Sequence, residues 1–314
     1  MGIKLSEVEY SYVKDKKHDV IVNKNISLEI NNNDEFIAIV GHTGSGKSTL
    51  VQLLNGLLIP NAGLLEVSFK DNGNICNYKI KGHYKKPKYS LTHSDTEKVR
   101  FKSHIYLKPL RSHIGLVFQF PEYQIFEETV LKDIMFGPKN FTNDIKKAEE
   151  KARHAASIME ISDLLDLNPF VLSGGQMRKV AIAGILAMEP DVLVLDEPTV
   201  GLDPLSKKEL LQFLKKQNEE LHKTIIIITH DMDVVGEFAK RVIVMNKGEI
   251  KYDGSKEELF KNKDVVYDNN LDYPSIIKLM IGLKEKLNID IDPFQYNIND
   301  AYLEIKRVMG EHYE

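Results

Sequence analysis

One glycine-rich segment constrains the fold of this chain more than any other part of its sequence. It reads Gly41-His42-Thr43-Gly44-Ser45-Gly46-Lys47-Ser48-Thr49, here called the phosphate loop, and it fits the pattern G-x-x-x-x-G-K-[ST]. It lies between an apolar run, Glu35–Val40, and a helical pattern, Leu50–Leu58. Glycines let the backbone wrap a phosphate with its N–H groups turned inward, and the helix adds its positive N-terminal end. We expect Lys47 to bind the β- and γ-phosphates and the Ser48 hydroxyl to ligate Mg²⁺, which predicts a nucleotide-binding α/β fold.

Short apolar runs elsewhere support the same fold class. Val192–Leu195 and Ile225–Ile228 are wholly apolar, as strands buried on both faces of a parallel sheet are. Val242–Met245 predicts a further strand, followed by a turn at Lys247-Gly248. Strands are also expected over 1–31, because Ile26–Ile30 alternates apolar with polar side chains. Further helices are predicted at Met159–Asp166, Gln176–Met188, Ser275–Leu287 and Asp300–Met309.

Two adjacent carboxylates, Asp196 and Glu197, follow the apolar run Val192–Leu195. Sheets of α/β proteins bind ligands at the C-terminal ends of their strands. We expect Asp196 to hold Mg²⁺, directly or through water, and Glu197 to point the other way by strand alternation. Glu197 can then accept a proton from an attacking water. An Asp-Glu pair alone is usually a solvated strand end, but beside a phosphate loop it indicates hydrolysis.

A second anion-binding segment reads Leu172-Ser173-Gly174-Gly175-Gln176. Ser173 is a good helix N-cap, and the free N–H groups of the first turn can bind an anion. Taken alone, this is an ordinary capped helix. Its position about twenty residues before Asp196 favours a functional role.

Bulk properties exclude several classes of protein. Apolar residues make up 42% of the 314, which indicates a globular chain, and the formal charge of −4 predicts no nucleic-acid partner. The single cysteine, Cys76, allows no internal disulfide and favours a reducing compartment. We find no signal peptide and no apolar run of about 18 residues that would span a membrane.

Two segments fall outside the α/β pattern of a domain expected over 1–254. Within 71–108, the part 78–108 carries nine Lys or Arg against two acids. This insertion is expected to be a solvated loop or small surface insertion, or else a basic patch for anionic lipid or a partner. The second segment, 255–314, is expected to be a small C-terminal helical appendage.

Together these segments resemble the nucleotide-binding domain of ABC transporters, a P-loop NTPase fold with an antiparallel β subdomain and a helical signature subdomain. Gly41–Thr49 matches its Walker A motif, Val192–Glu197 its Walker B motif and Leu172–Gln176 its signature motif. The other matches are Gln119 with the Q-loop, Asp203 in Gly201-Leu202-Asp203 with the D-loop, and His230 in Ile228-Thr229-His230-Asp231 with the H-loop. Tyr12 resembles the A-loop residue that stacks on adenine, with Tyr10 as the competing candidate.

The resemblance implies a head-to-tail dimer in which ATP lies between Walker A of one subunit and the signature of the other. Ser173, Gly174, Gly175 and Gln176 would then contact the partner's ATP. Gln119 would sense Mg²⁺ and the nucleotide state. His230 would hydrogen-bond the γ-phosphate and the water rather than act as the base.

A narrower resemblance is to the ATPases of energy-coupling factor (ECF) transporters. It rests on Phe118–Phe126, on Phe136–Phe141, on the signature helix through Gly184, and on Leu271–Pro274 in the appendage. The Phe120-Pro121-Glu122 form resembles the second of the two paralogous ECF ATPases. Val200 departs from the Ala that the family often has there, and the insertion at 71–108 is longer than usual.

That resemblance implies a motor subunit powering uptake of vitamins or transition-metal ions. Its partners would be a paralogous ECF ATPase, a transmembrane coupling subunit and a membrane substrate-binding subunit. It would lie peripherally on the cytoplasmic face of the membrane, without nucleic acid. One alternative is the ATPase of a conventional ABC importer. Another is a soluble ABC-type ATPase of translation or DNA repair, which the single motif set and the short, irregular insertion disfavour.

Overall fold

A computed structural model describes residues 2–12, 20–31, 34–71, 74–83, 87–93, 99–101, 107–142 and 144–310. Its strands are β1 (Gly2–Ser11), β2 (Ile21–Asn31), β3 (Phe36–Val40), β4 (Ala62–Asp71), β5 (Asn74–Lys81), β6 (Lys88–His93), β7 (Val99–Phe101), β8 (Ile114–Val117), β9 (Val192–Asp196), β10 (Thr224–Ile228), β11 (Arg241–Asn246) and β12 (Glu249–Ser255). Its helices are α1 (Lys47–Leu54), α2 (Lys108–His113), α3 (Val130–Phe141), α4 (Ile145–Ile158), α5 (Gly174–Leu186), α6 (Pro204–Glu219), α7 (Met232–Phe238), α8 (Lys256–Lys261), α9 (Lys263–Asp268), α10 (Ser275–Leu287) and α11 (Ile298–Met309).

The chain divides into two compact units. The first unit comprises Met1–Glu35 and Ser48–Ile227, and the second comprises Phe36–Lys47 and Ile228–Glu314. Each unit contains both strands and helices, so the α/β class expected from the sequence is confirmed.

An antiparallel sheet in the first unit has the strand order β2-β1-β4-β5-β6-β7. Its buried face is built from directly opposed side chains, one from each of five strands: Leu28, Leu5, Leu65, Ile80 and Tyr89. Cross-strand pairs of this kind stabilise a sheet and fix its register. The alternation predicted in Ile26–Ile30 is confirmed, because its apolar residues are buried and its polar residues exposed.

The insertion at 71–108 adds strands to this sheet. Where the structure describes it, it forms β5, β6 and β7 rather than the solvated loop that its polar composition favours. Cys76, Tyr78 and Ile80 are buried on the inner face, while Lys79 and Lys81 are exposed on the other. Buried and exposed residues therefore alternate as in an ordinary strand, although the lysines give the segment a polar composition.

One helix that the sequence predicts in the first unit does not form. No helix forms over Met159–Asp166, because Glu160 has a left-handed φ of 57° and only a 3₁₀ turn follows, at Ser162–Leu164. Ile161 and Leu165 are nevertheless buried. The helix predicted from this apolar spacing was therefore wrong, although its apolar residues contribute to the core.

Helix α4 ends just before that segment and was not expected. Its buried face consists of alanines, Ala148, Ala152, Ala155 and Ala156. Alanine favours helices strongly but gives only a weak apolar periodicity, so the pattern is hard to recognise in the sequence.

In the second unit, β3 pairs in parallel with β11, and β11 pairs antiparallel with β12. All five residues of β3 are buried, as a wholly apolar strand requires. The turn predicted at Lys247-Gly248 joins β11 to β12, and both of its residues have positive φ, 51° and 84°.

The C-terminal segment contains α8 to α11, as expected of a helical appendage. Helix α10 has the predicted bounds, and α11 starts two residues before its predicted start. Met280, Ile291 and Ala301 form a small core between α10 and α11. In the part of the chain that the structure describes, no helix is both long and apolar enough to cross a bilayer.

Candidate functional site

The phosphate loop leads from β3 to α1 and requires glycine for two separate reasons. Gly41, Gly44 and Gly46 have φ of 143°, 82° and 96°, a range that other residues rarely adopt. At Gly41 a Cβ would also stand 2.1 Å from the backbone oxygen of Met245. At Gly44 nothing lies within 4 Å of such a Cβ, so there the requirement is conformational alone.

Lys47 lies inside the loop, with only 9% of the residue exposed. Its Nζ donates to the backbone oxygens of Gly41 at 2.8 Å and His42 at 3.0 Å. The ammonium is thereby held by carbonyl oxygens of its own loop. The buried Ser45 Oγ has no hydrogen-bond partner within the described residues, and a buried polar atom of this kind can serve a ligand.

The loop residue His42 is held by a polar chain that sequence reasoning missed. Its Nε2 lies 3.0 Å from Oδ1 of Asn246, at the end of β11. Asn246 Nδ2 donates to Oδ1 of Asn269 at 3.1 Å, and Asn269 Nδ2 donates to the Val265 carbonyl at 2.8 Å. These contacts tie the loop to the start of the appendage within the second unit. No local pattern in the sequence marks the two asparagines.

Tyr12 lies just beyond β1 and has 57% of its surface exposed. Its hydroxyl is 3.1 Å from Oγ1 of Thr49, in the first turn of α1. Tyr10 packs edge-on against Tyr12 at 5.0 Å between ring centroids. Burial, followed by the charge of Tyr12, raises the pKa of Tyr10. The exposed ring next to the phosphate-loop helix is therefore that of Tyr12.

Three oxygen-bearing side chains of the first unit form the candidate Mg²⁺ ligand set: Ser48, Gln119 and Asp196. Parallel strands β8 and β9 pair from Ile114↔Val192 to Val117↔Leu195. Asp196 is the last residue of β9 and Gln119 lies two residues beyond β8, so both are at the carboxyl end of this pair. Asp196 is 7% exposed, whereas Gln119 and Ser48 are exposed. Hydroxyl, amide and carboxylate oxygens are ligands that suit Mg²⁺.

Strand alternation was expected to orient Glu197, but a turn beyond the strand places it instead. Strand β9 ends at Asp196, and Glu197 has a left-handed φ of 48°. Such a conformation costs about 1–2 kcal/mol for a residue other than glycine and is found at functional positions. The backbone N–H of Val200 donates to the Glu197 carbonyl at 3.2 Å and closes the turn. Glu197 is partly exposed, so its carboxylate is open to water.

The signature segment is the capped helix start that its sequence predicts. Gln176 N donates to Ser173 Oγ at 3.3 Å, and Ser173 N donates to Gln176 Oε1 at 3.0 Å, which makes a capping box. Gly174 and Gly175 are exposed, and a Cβ added to either residue would meet nothing within 4 Å. Their first-turn N–H groups have no acceptor inside the helix and point outward from it.

Asp203 and His230 both lie at exposed junctions. Asp203 caps α6 by accepting from Leu205 N at 3.0 Å and Ser206 N at 3.1 Å, and the Ser206 hydrogen bonds lower its pKa. His230 lies two residues beyond β10, in the second unit, directly before the α7 N-cap Asp231. Asp203 therefore stands at the start of a helix, and His230 stands between a strand and a helix.

One buried ion pair in the first unit was not expected. Arg178 of α5 is 6% exposed and contacts Glu122, in the 3₁₀ turn Pro121–Gln124. Both residues lie in segments already singled out from the sequence, but neither had been given a role. The sequence feature that could have indicated this ion pair is a charged residue within the mainly apolar helix that follows the signature.

Comparison with known proteins groups this chain with transporter ATPases. The ABC transporter family model matches residues 23–200. The energy-coupling factor transporter ATP-binding protein EcfA2 of Bacillus licheniformis is 40% identical over 312 residues, covering 99% of both chains. EcfA2 of Clostridium tetani is 38% identical over 312 residues, covering 99% of this chain and 98% of the relative.

Solved structures lead to the same group. The cbiO1 protein from Clostridium perfringens, part of the ABC transporter complex cbiONQ, has a TM-score of 0.65 and 30% identity, covering 96% of this chain and 97% of its own. A dimeric ATP-binding cassette in a post-hydrolysis state, bound to ADP and Pi, has a TM-score of 0.63 and 27% identity. It covers 81% of this chain and 98% of its own.

Proposed function

The chain belongs to the ABC transporter family and, within it, to the ECF transporter ATP-binding proteins of the second type; from this premise we propose that it hydrolyses MgATP with Glu197 as general base, at a site that a second ATPase completes. It is the ATP-hydrolysing motor of an ECF-type importer. We assign below the residues that perform the hydrolysis and the subunits with which the chain works.

The observation that carries the proposal is the open start of helix α5. Gly174 and Gly175 begin an exposed helix N-terminus, where the first-turn N–H groups lack an acceptor inside the helix and an added Cβ would meet nothing within 4 Å. The chain's own phosphate loop already supplies an anion site at α1. A second exposed anion site is therefore suited to the γ-phosphate of an ATP held by another subunit, with Ser173 and Gln176 fixing its geometry. ATP would then join two subunits head to tail, and hydrolysis would release them.

Each remaining residue has a role that follows from its chemistry. Lys47 and the N–H groups of Gly41–Thr49 bind the phosphates, and His230 hydrogen-bonds the γ-phosphate and the water. Glu197 accepts the proton of that water as the water oxygen attacks the γ-phosphorus, and the bond between the γ-phosphorus and the bridging oxygen breaks to release ADP. Mg²⁺, when bound by Ser48, Asp196 and Gln119, neutralises charge on the phosphate oxygens. Asp203 caps α6 and orients the segment that follows Glu197.

Exposed aromatic side chains beyond Gln119 are the proposed contact with the membrane subunits. Phe126 packs edge-on to Phe136 at 4.9 Å, and Phe120 lies 5.8 Å from Tyr123, which is 83% exposed. Clusters of exposed aromatics are typical of protein interfaces. We assign them to a transmembrane coupling subunit that works with a membrane substrate-binding subunit. The chain would then lie peripherally on the cytoplasmic face of the membrane.

Affinity purification of the tagged chain from detergent-solubilised membranes tests this assembly. We expect a paralogous ATPase and integral membrane subunits to co-purify, and ATP hydrolysis to require the paralogue. A matched control replaces Tyr123 and Phe126 by serine, which should release the membrane subunits and keep the paralogous ATPase. Isolation of a fully active homodimer without membrane subunits would contradict the proposal.

Adenine stacking on Tyr12 predicts a base-specific loss of affinity. Tyr12→Ala should raise the Kd for ATP roughly 5- to 100-fold, because stacking of a base on an aromatic ring contributes about 1–3 kcal/mol. Inorganic tripolyphosphate has no base, so its Kd should not change. Tyr12→Phe should bind ATP nearly as wild type, since it loses only the contact with Thr49, and Tyr267→Ala is an exposed control. Equal weakening of both ligands would exclude the stacking role.

A further inference from the structure

Arg178 is among the few charged residues that the described part of the chain buries. It lies five residues after the N-cap Ser173 of α5 and is 6% exposed. Removing a guanidinium from water is unfavourable unless its donors are paired with good geometry. Its partners therefore show what the residue is built to hold.

The guanidinium contacts two separate segments of the first unit. On one side, Nε and Nη2 donate to the Glu122 carboxylate at 3.4 and 3.2 Å, and the Glu122 side chain is only 15% exposed. On the other side, Nη1 donates to the carbonyl oxygens of Pro198 at 3.1 Å and Val200 at 2.8 Å. One side chain thus joins the turn that follows Gln119 to the turn that follows Asp196.

The second turn is the one that carries Glu197. Pro198 contributes no N–H to this turn, whose backbone hydrogen bonds are those of Val200 N to the Glu197 carbonyl and Leu202 N to the Thr199 carbonyl. Glu197 itself is in a left-handed conformation, which persists only where the surroundings hold it. The two carbonyls held by Arg178 lie one and three residues after Glu197. Arg178 therefore fixes the direction in which the chain leaves the catalytic position.

We infer that Arg178 is a positioning residue that couples the Glu122 turn to the Glu197 turn. A shift of the Glu122 turn moves the guanidinium, which displaces the Glu197 carboxylate through its hydrogen bonds to the Pro198 and Val200 carbonyls. This inference rests on the proposed role of Glu197 as general base. Arg178 itself touches no reacting atom. Its fork geometry is essential, because a lysine ammonium cannot bind a carboxylate bidentately and reach two carbonyls as well.

The test measures kcat and nucleotide affinity separately in the assembled, membrane-reconstituted transporter. The partner ATPase carries glutamine in place of the glutamate that corresponds to Glu197, so that turnover reports the Glu197 site alone. Arg178→Lys is expected to lower kcat for ATP hydrolysis about 10- to 100-fold, since small misplacements of a catalytic group have effects of that size. The Kd of a fluorescent ATP analogue should stay within about twofold of wild type, because the partners of the guanidinium lie outside the phosphate loop. Arg153→Ala, which removes an exposed ion pair with Glu149, is the matched control and should change neither quantity.

If Arg178→Lys does not fold, Glu122→Gln tests the positioning role of Arg178. It preserves shape and one acceptor oxygen, so kcat should fall several-fold with the Kd unchanged, and the two substitutions combined should be less than additive. A kcat within twofold of wild type for folded Arg178→Lys or for Glu122→Gln overturns the inference. So does a loss of nucleotide affinity equal to the loss of kcat, which indicates a structural role. If a complex that combines Glu197→Gln with replacement of the corresponding glutamate of the partner hydrolyses ATP normally, the proposed function fails instead, whatever Arg178 does.

Discussion

A Glu197→Gln variant is expected to keep its affinity for ATP and to lose roughly 10²- to 10⁴-fold in hydrolysis rate, the contribution of a general base. Glutamine has the shape of glutamate but cannot accept a proton at neutral pH. The turn should survive, because a neutral side chain at the left-handed position meets the same backbone requirement. Phosphate release by the assembled complex, together with titration of a fluorescent ATP analogue, measures the two quantities.

The loss of hydrolysis can be interpreted only if the partner subunit carries the same substitution. A paralogous ATPase brings a second composite site, so the corresponding glutamate of the partner is replaced in the same complex. Glu220→Gln is the matched control, since Glu220 is an exposed residue that pairs with Lys216 at 3.8 Å. Normal turnover by the complex lacking both glutamates would rule out Glu197 as the base.

Lys47→Ala is expected to weaken ATP binding by roughly 10- to 100-fold, because hydrogen bonds to charged groups contribute about 1.5–3 kcal/mol. The ammonium is held by the Gly41 and His42 carbonyls at 2.8 and 3.0 Å, in a loop whose N–H groups alone cannot supply a full positive charge. Lys47→Met keeps most of the side-chain volume and should weaken binding as much as alanine does. Equilibrium titration with the fluorescent analogue measures both variants.

A loss of charge elsewhere should have no such effect. Lys215→Ala removes an exposed lysine of α6, paired with Glu219 at 3.9 Å, and should bind the analogue as wild type does. Affinity unchanged in Lys47→Ala and Lys47→Met would contradict the phosphate-loop assignment. Weak binding by alanine alone would assign the effect to packing within the loop rather than to charge.

Most of the candidate chemistry could be predicted because it is encoded in short segments. The glycines of the phosphate loop, the capping box at Ser173 and the apolar strand before Asp196 each combine a local backbone requirement with a neighbouring functional group. Such signals need no knowledge of distant residues. The structure accordingly has β3, β9, α5 and α10 close to where the sequence predicts them.

The predictions that were wrong involved competition between local and tertiary effects. Over Met159–Asp166 the apolar residues are buried, but a left-handed residue at Glu160 prevents a helix. In the insertion at 71–108, exposed lysines concealed the buried residues of β5. Glu197 lies beyond the strand whose alternation was used to orient it. In each case the local sequence did not determine the backbone path.

The sequence by itself therefore determined the fold class, the phosphate loop, the capped signature helix and the carboxylate pair, since each depends on residues within a few positions of one another. Only the tertiary structure decided which distant residues contact one another. The Arg178 contacts span 56 positions to Glu122 and 20 and 22 positions to Pro198 and Val200. No periodicity or motif records a pairing over such a separation, because it arises from packing of α5 against two turns that are distant along the chain.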